Sequence, residues 1–265
     1  EHRFWDADCS LGDIVERLKG VDVLCHMAAY IPPNQSDPSE AQKCVAVNAL
    51  ATLTLARAAI DAGVPRIVFT SSANIITKSS GVNRETDQPI MQFKHAPYYL
   101  ASKVLAESYL ASLALHHDID IQVLRLSSVY SPEGPSSILH QFAMNLKDNG
   151  HLTLTNGTLY GTDFVHAEDV AELIVQSILG TSNGILNVGS GERTTLLRAA
   201  QILADLLDKN ERIIKNSDVS DSSDTLGFAA LDITTARNVY NFNPRPIEYG
   251  LQEIVALAKD RRTLA

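Results

Sequence analysis

The chain has 265 residues, 45% of them apolar, and carries 31 acidic against 22 basic side chains for a net charge of −9. This is enough apolar content for a large core, in one domain or two intimately packed ones. The acidic balance argues against a nucleic-acid surface, which needs a basic footprint. Cys9, Cys25 and Cys44 are odd in number, far apart and without a Cys-x-x-Cys pair, so we expect no disulfide framework, no zinc site and a cytoplasmic location. The eight histidines show no ligand spacing, and no metal is expected. His26 and His166, in apolar strand-like runs, read as structural, hydrogen-bonded histidines. No apolar run approaches the ~20 residues of a membrane span, and no positively charged, then apolar, leader opens the chain; no membrane partner is expected.

In chain order, Arg3-Phe4-Trp5 runs as a strand into Asp6-Ala7, where an aspartate suits a turn. A second strand, 21–27, ends at Ala28-Ala29, small residues that suit tight strand-to-loop packing. A helical stretch over 39–62 contains Asn48, and a strand over 66–71 leads into Ser72. The helix over 98–116 is apolar on more than one side, through Leu100, Ala101, Val104, Leu105 and Ala106, and so should be buried. Strands over 119–126 and 184–188 follow. Near-continuous apolar strands alternating with helices predict an α/β fold with a parallel sheet covered on both faces.

Between 131 and 162, and again from 189, the pattern changes. Turns at Pro132-Glu133-Gly134-Pro135 and Asn156-Gly157 separate shorter elements, and 216–224 is a polar Ser/Asp-rich loop. We read 131–265 as a smaller, discontinuous lobe distinct from the α/β pattern of 1–130. Thr194-Thr195 ahead of an apolar run predicts a helix start with a capping hydroxyl. Gly189-Ser190-Gly191 could be a phosphate-binding turn or a plain strand-to-helix connection; without a full Gly-x-Gly-x-x-Gly the structural reading is favoured.

Tyr99 and Lys103 stand four residues apart and share one face of a helix. A phenol titrating near ~10 is a poor proton shuttle at neutral pH, and a fixed cation beside it lowers that value by favouring the phenolate. Such a pair can exchange a proton with a substrate hydroxyl.

Several segments share one family pattern in the right order: Asp22-Val23-Leu24-Cys25-His26-Met27-Ala28-Ala29, Val47-Asn48-Ala49, Val68-Phe69-Thr70-Ser71-Ser72, the Tyr99/Lys103 pair, Leu124 to Pro132, Asp163 to Val170, and Asn187-Val188-Gly189-Ser190-Gly191. In these the chain resembles the extended short-chain dehydrogenase/reductase family, in its NAD(P)-dependent epimerase/dehydratase branch. The resemblance implies a Rossmann-like doubly wound sheet, with 1–130 as a dinucleotide-binding domain to which 163–188 returns and the rest of 131–265 as a substrate-binding lobe. It implies NAD or NADP as cofactor, a small-molecule substrate, and a homodimer formed through the two long helices, whose apolar faces could equally be core. It implies that Ser72 donates a hydrogen bond to the reacting oxygen, that Tyr99 moves its proton, and that Lys103 keeps Tyr99 acidic and binds the nicotinamide ribose. It also implies adenine contacts from Asp6 and Ala7, close approach to the cofactor at Ala28 and Ala29, an asparagine beside the active site at Asn48, and a nicotinamide-flanking segment at Val129, Tyr130 and Pro132. In that segment Ser131 replaces a glycine, so an altered turn is expected. The family's first strand and Gly-x-x-Gly-x-x-Gly turn do not precede these segments, and the sequence reads as a shortened record of a longer polypeptide whose third strand would lack a neighbour.

Two departures bear on the substrate. In sugar-nucleotide members an asparagine occupies the place of Ser128 and an arginine that of Thr162. A hydroxyl cannot reproduce the bidentate, charge-assisted contact of arginine with phosphate. The expected activity is therefore an NAD(P)-dependent oxidoreductase, epimerase or dehydratase acting on a hydroxyl or ketone of a sugar-like or small polar substrate. A carbonyl reductase or alcohol dehydrogenase on a non-nucleotide substrate, and a non-catalytic dinucleotide-sensing protein of the same fold, are the alternatives.

Overall fold

The computed structural model describes residues 11–76, 78, 80–90, 92–134, 137–155, 159–208, 213–216 and 227–260. Asp6, Ala7, Cys9 and the strand expected at 3–5 lie outside the described residues, as does 217–224.

The chain forms two compact units, one of 1–75, 89–124 and 177–185, the other of 76–88, 125–176 and 186–265. In the first, α1 (Leu11–Leu18) leads to β1 (Leu24–His26). A helical segment then runs from Pro38 through α2 (Ala41–Cys44), a π-helical turn at Val45–Leu50, and α3 (Ala51–Asp61). β2 (Arg66–Ser72) follows, buried along all seven residues, as a strand covered on both faces must be. After β3 (Val82–Asn83), which belongs to the second unit, come α4 (Pro97–His116) and β4 (Asp120–Leu126). β4 crosses into the second unit after Leu124. The main sheet has the order β1-β2-β4-β8, where β8 is Gly184–Val188, and β1 pairs with β2 in parallel. The core of this unit gathers Leu18, Ala56, Ile67, Phe69, Leu110 and Val123. Each large apolar side chain fully buried there contributes about 1.5–3 kcal/mol.

Pro38–Asp61 is, by length and composition, apolar enough to cross a membrane, where the sequence reading found no such run. The segment is amphipathic in its packing: Cys44, Asn48, Ala49, Thr52, Ala56, Ala58 and Ala59 are buried and it contacts α1 and α4, while Val45, Val47 and Leu50 are exposed. A core helix passes the same test of length and apolarity.

The second unit holds β5 (Ser128–Tyr130), α5 (Ile138–Asp148), β6 (Leu152–Thr155), β7 (Gly161–His166) and the larger part of α6 (Ala167–Leu179). Beyond β8 lie β9 (Arg193–Thr195), α7 (Leu196–Leu206), β10 (Ile213–Asn216), β11 (Ala230–Leu231), α8 (Thr234–Tyr240) and α9 (Ile247–Asp260). β7 pairs in parallel with β5 and antiparallel with β9; β6 pairs with β10 and β3 with β11. A core of Leu139, Phe142, Leu146, Phe164, Leu203 and Ile254 holds α5, α7 and α9 together.

These compact units are drawn along other lines than the functional division read from the sequence. Residues 76–88 and 125–130 belong to the second unit, and of 163–188 only 177–185 belong to the first. The reason lies in Asp163. Its carboxylate accepts hydrogen bonds from Ser190 N (2.6 Å), Ser190 Oγ (2.8 Å), Gly191 N (3.1 Å) and Leu231 N (3.1 Å), which tie β7 to the later segments. The Gly189-Ser190-Gly191 turn is thus a nest filled from within the chain, which settles its structural reading. Thr195 caps α7 as expected, its side chain accepting from Arg198 N. At Ser131 the turn closes through Gly134 N to Ser131 O (3.1 Å), with Glu133 N donating to Ser131 Oγ (3.3 Å).

Candidate functional site

Ser72, Tyr99, Lys103, Asn48, Ala28 and Ala29 all fall in the first unit. Ser72 closes β2, and its Oγ accepts from Asn74 N at 3.3 Å. The neighbouring Ser71 Oγ is buried and has no hydrogen-bond partner among the described residues. α4 starts with Pro97 in the first turn, pre-set for helix, behind Ala96 in the left-handed region at φ 47°. Strained backbone of this kind concentrates at functional sites, and here it lies three residues before Tyr99.

Lys103 is only 2% exposed. Its Nζ donates to Thr70 O at 3.0 Å, lies 4.8 Å above the Phe69 ring and stands 5.8 Å from the centroid of the Tyr99 ring. Burial draws its pKa down to about 8, although Glu107, one turn on, pulls the other way. Tyr99 shifts in the direction opposite to the one expected: burial, with a smaller contribution from Cys44, pushes the phenol up to about 12. The physical reason is that both groups leave water, which disfavours both charged forms, while the ammonium is turned to Thr70 O. A spectroscopic titration follows from this. The phenolate absorbance of the wild type minus that of Tyr99→Phe is expected to be absent below pH ~10, the ordinary phenol value; a step below pH ~9 would show that Lys103 outweighs burial.

Asn48 is completely buried and uses both ends of its amide. Its Oδ1 accepts from Tyr30 N (2.6 Å), and its Nδ2 donates to Tyr30 O (2.9 Å) and to Ser102 Oγ (3.0 Å). Ser102 Oγ donates in turn to Tyr99 O at 2.6 Å. The amide thus joins the loop after β1 to the first turn of α4. The π-helical turn that holds Asn48 is a rare feature that is frequent at functional sites. Sequence reasoning missed Ser102, although it stands next to Lys103. It also missed Thr52, whose hydroxyl donates to Asn48 O (2.7 Å) and meets His26 Nε2 at 2.9 Å. With the threonine hydrogen committed to Asn48 O, His26 Nε2 must be the donor. Burial, then the Lys103 charge, holds His26 down at about 4, so it is a neutral, hydrogen-bonded core histidine. Ala28 and Ala29 follow β1 as exposed residues.

The remaining predicted residues, Ser128, Val129, Pro132 and Thr162, lie in the second unit. Ser128 Oγ and Thr162 Oγ1 are 2.8 Å apart, Thr162 is buried, and Val129 is 43% exposed. His166 is buried, with Nδ1 accepting from Glu168 N (3.2 Å) and Nε2 3.0 Å from Glu253 Oε2. Among the described residues no group of three or more His, Cys, Asp or Glu is placed to hold a metal.

A family model described as the NAD dependent epimerase/dehydratase family matches residues 4–189. The chain is 25% identical over 192 residues to mouse dTDP-D-glucose 4,6-dehydratase, covering 72% of this chain and 53% of that protein. It therefore spans about half the length of that relative. It is also 28% identical over 138 residues to human sterol-4-alpha-carboxylate 3-dehydrogenase, decarboxylating, over 51% of this chain and 36% of that one. Among solved structures, a dTDP-glucose 4,6-dehydratase from Streptomyces venezuelae with NAD bound superposes with a TM-score of 0.78 at 25% identity, covering 96% of this chain and 78% of that one.

Proposed function

Because the chain belongs to the NAD dependent epimerase/dehydratase family, we propose that it oxidises or reduces a hydroxyl or ketone carbon of a sugar-like or small polar molecule, with NAD as cofactor. The observation that carries this reading is Lys103: a buried lysine anchored to the strand that ends in Ser72, and within reach of the Tyr99 ring. The residues present fit the cofactor's nicotinamide riboside. Lys103 Nζ has three hydrogens and gives one to Thr70 O, which leaves two for ribose hydroxyls, and the exposed Ala28 and Ala29 leave room for close approach. When bound, NAD supplies or accepts the hydride.

In this reading the protein moves the proton and orients the substrate. Ser72 Oγ donates to the substrate oxygen, and Tyr99 Oη takes the hydroxyl proton in oxidation and returns it in reduction. Lys103 binds the ribose and, when charged, favours the phenolate. The Asn48–Ser102 bridge holds the turn that carries Tyr99. The second unit contributes substrate recognition. A homodimer is part of the same reading, supported by the exposed Val45, Val47 and Leu50 of the Pro38–Asp61 segment and Leu115 of α4, and a cytoplasmic location is proposed from the widely spaced cysteines alone.

The relatives carry both sugar-nucleotide and sterol names, so the family alone does not choose the substrate class. Lys103→Met, which keeps the apolar stem and deletes the charge, is expected to weaken NAD binding roughly ten- to a hundredfold, since hydrogen bonds to a charged group contribute ~1.5–3 kcal/mol. The check is a fluorescence titration with NAD and NADP. Undiminished NAD affinity would remove Lys103 from the cofactor site.

A further inference from the structure

We propose that a cavity in the second unit, walled by Ser128, Ile138, Tyr160, Thr162, Phe164 and Leu196, takes an uncharged ring bearing a hydroxyl or carbonyl group rather than the diphosphate of a nucleotide sugar. The inference rests on the reading that this unit recognises the substrate, and it names the substrate class.

The cavity measures about 250 Å³, just below the ~300–1,000 Å³ of sites for drug-sized ligands. It has room for one or two rings. Two of its aromatic walls are held in place by edge-on packing, Phe164 against Tyr130 (centroids 6.2 Å apart, 88° between planes) and Tyr160 against Phe228 (6.2 Å, 74°). Ile138 and Leu196 complete an apolar lining suited to a ring face.

The hydroxyl-bearing residues of the lining are Ser128, Thr162, Ser137, Tyr130 and Tyr160, all uncharged at neutral pH, and the first two form a pair. Ser128 Oγ and Thr162 Oγ1 lie 2.8 Å apart and carry two hydrogens between them. One hydrogen joins the pair, which leaves one donor and spare lone pairs. That set complements a neutral hydroxyl or carbonyl, and it offers no charge to an anion.

No lysine, arginine or histidine is among the described lining residues. The two arginines that flank Leu196 in sequence are engaged elsewhere. Arg193 Nη2 donates to Leu159 O at 2.6 Å, with its guanidinium packed beneath Gly161, where an added Cβ would meet Cζ at 2.8 Å. Arg198 pairs with Glu248 at 3.6 Å. Moving a diphosphate from water to a site without a cation is unfavourable, because buried charge needs a paired charge.

The test is calorimetric titration of the purified protein with 4-phenylcyclohexanol and, separately, with UDP-glucose, both without NAD. The neutral alcohol should bind at least tenfold more tightly than UDP-glucose. Thr162→Val, nearly isosteric and lacking the hydroxyl, should weaken alcohol binding several-fold, and Leu196→Trp, which fills the cavity, should abolish it, with the circular dichroism spectrum unchanged in both. Tighter binding of UDP-glucose, binding of neither compound, or alcohol affinity untouched by both substitutions would overturn the proposal. If either variant fails to fold, the wild-type comparison still decides. The measurement involves neither hydride transfer nor Tyr99, so its failure and a failure of the catalytic reading are distinguishable.

Discussion

Replacing Tyr99 with phenylalanine is expected to lower kcat by ~10²–10⁴, the usual contribution of a positioned acid–base group, and to leave the fold intact. The substitution removes one oxygen from a largely buried ring and disturbs neither the Ser102 Oγ to Tyr99 O bond, which uses the backbone, nor the Lys103 anchor on Thr70 O. The loss should therefore appear in kcat with little change in thermal unfolding. With burial pushing the phenol up to about 12, the protonated form, the one that donates in the reductive direction, predominates at neutral pH. Steady-state kinetics on any turned-over alcohol or ketone provides the check. More than half of the wild-type rate in Tyr99→Phe would take Tyr99 out of the mechanism.

Asp163→Ala should produce the largest loss of stability, about 3–5 kcal/mol, as when one partner of a buried charged network is removed. Three backbone N–H groups, those of Ser190, Gly191 and Leu231, would lose their acceptor at once, and each unpaired buried donor costs ~1–3 kcal/mol. Against a typical total of ~5–15 kcal/mol, this is a large fraction. Asp163→Asn keeps one acceptor oxygen and turns an amide toward donors, and should fall between alanine and the wild type. Gly189→Ala attacks the same arrangement from the other side, since its Cβ would lie 2.7 Å from Asp163 Oδ2. Urea unfolding followed by circular dichroism measures all three. A midpoint for Asp163→Ala equal to that of the wild type would show that the nest does not hold the second unit together.

Tyr99 and Lys103 were legible because helix geometry puts positions four apart on one face whatever surrounds them. The electrostatics of the pair were not. Whether Lys103 lowers the phenol pKa depends on how deeply both groups are buried and on what else the ammonium touches. The carbonyl it touches, Thr70 O, comes from a strand 33 residues earlier. Asn48 was legible as a residue beside the site, but its work was hidden, because a helix pattern does not disclose a π-helical turn, and its partners Tyr30 and Ser102 are 18 and 54 residues away. Ser128 and Thr162 were singled out from separate strands, and their contact exists only because β5 and β7 pair in parallel.

The sequence by itself determined the α/β alternation, the parallel main strands, the long helix that starts next to Tyr98 and the hydroxyl cap of α7. Each follows from local periodicity, turn chemistry or capping, which act within a few residues. Only the tertiary structure decided where one unit ends and the next begins, what fills the Gly189-Ser190-Gly191 nest, and how far the pKa values of Tyr99, Lys103 and His26 move. Those outcomes depend on burial and on hydrogen bonds between segments far apart in the chain, and neither quantity exists until the chain has folded.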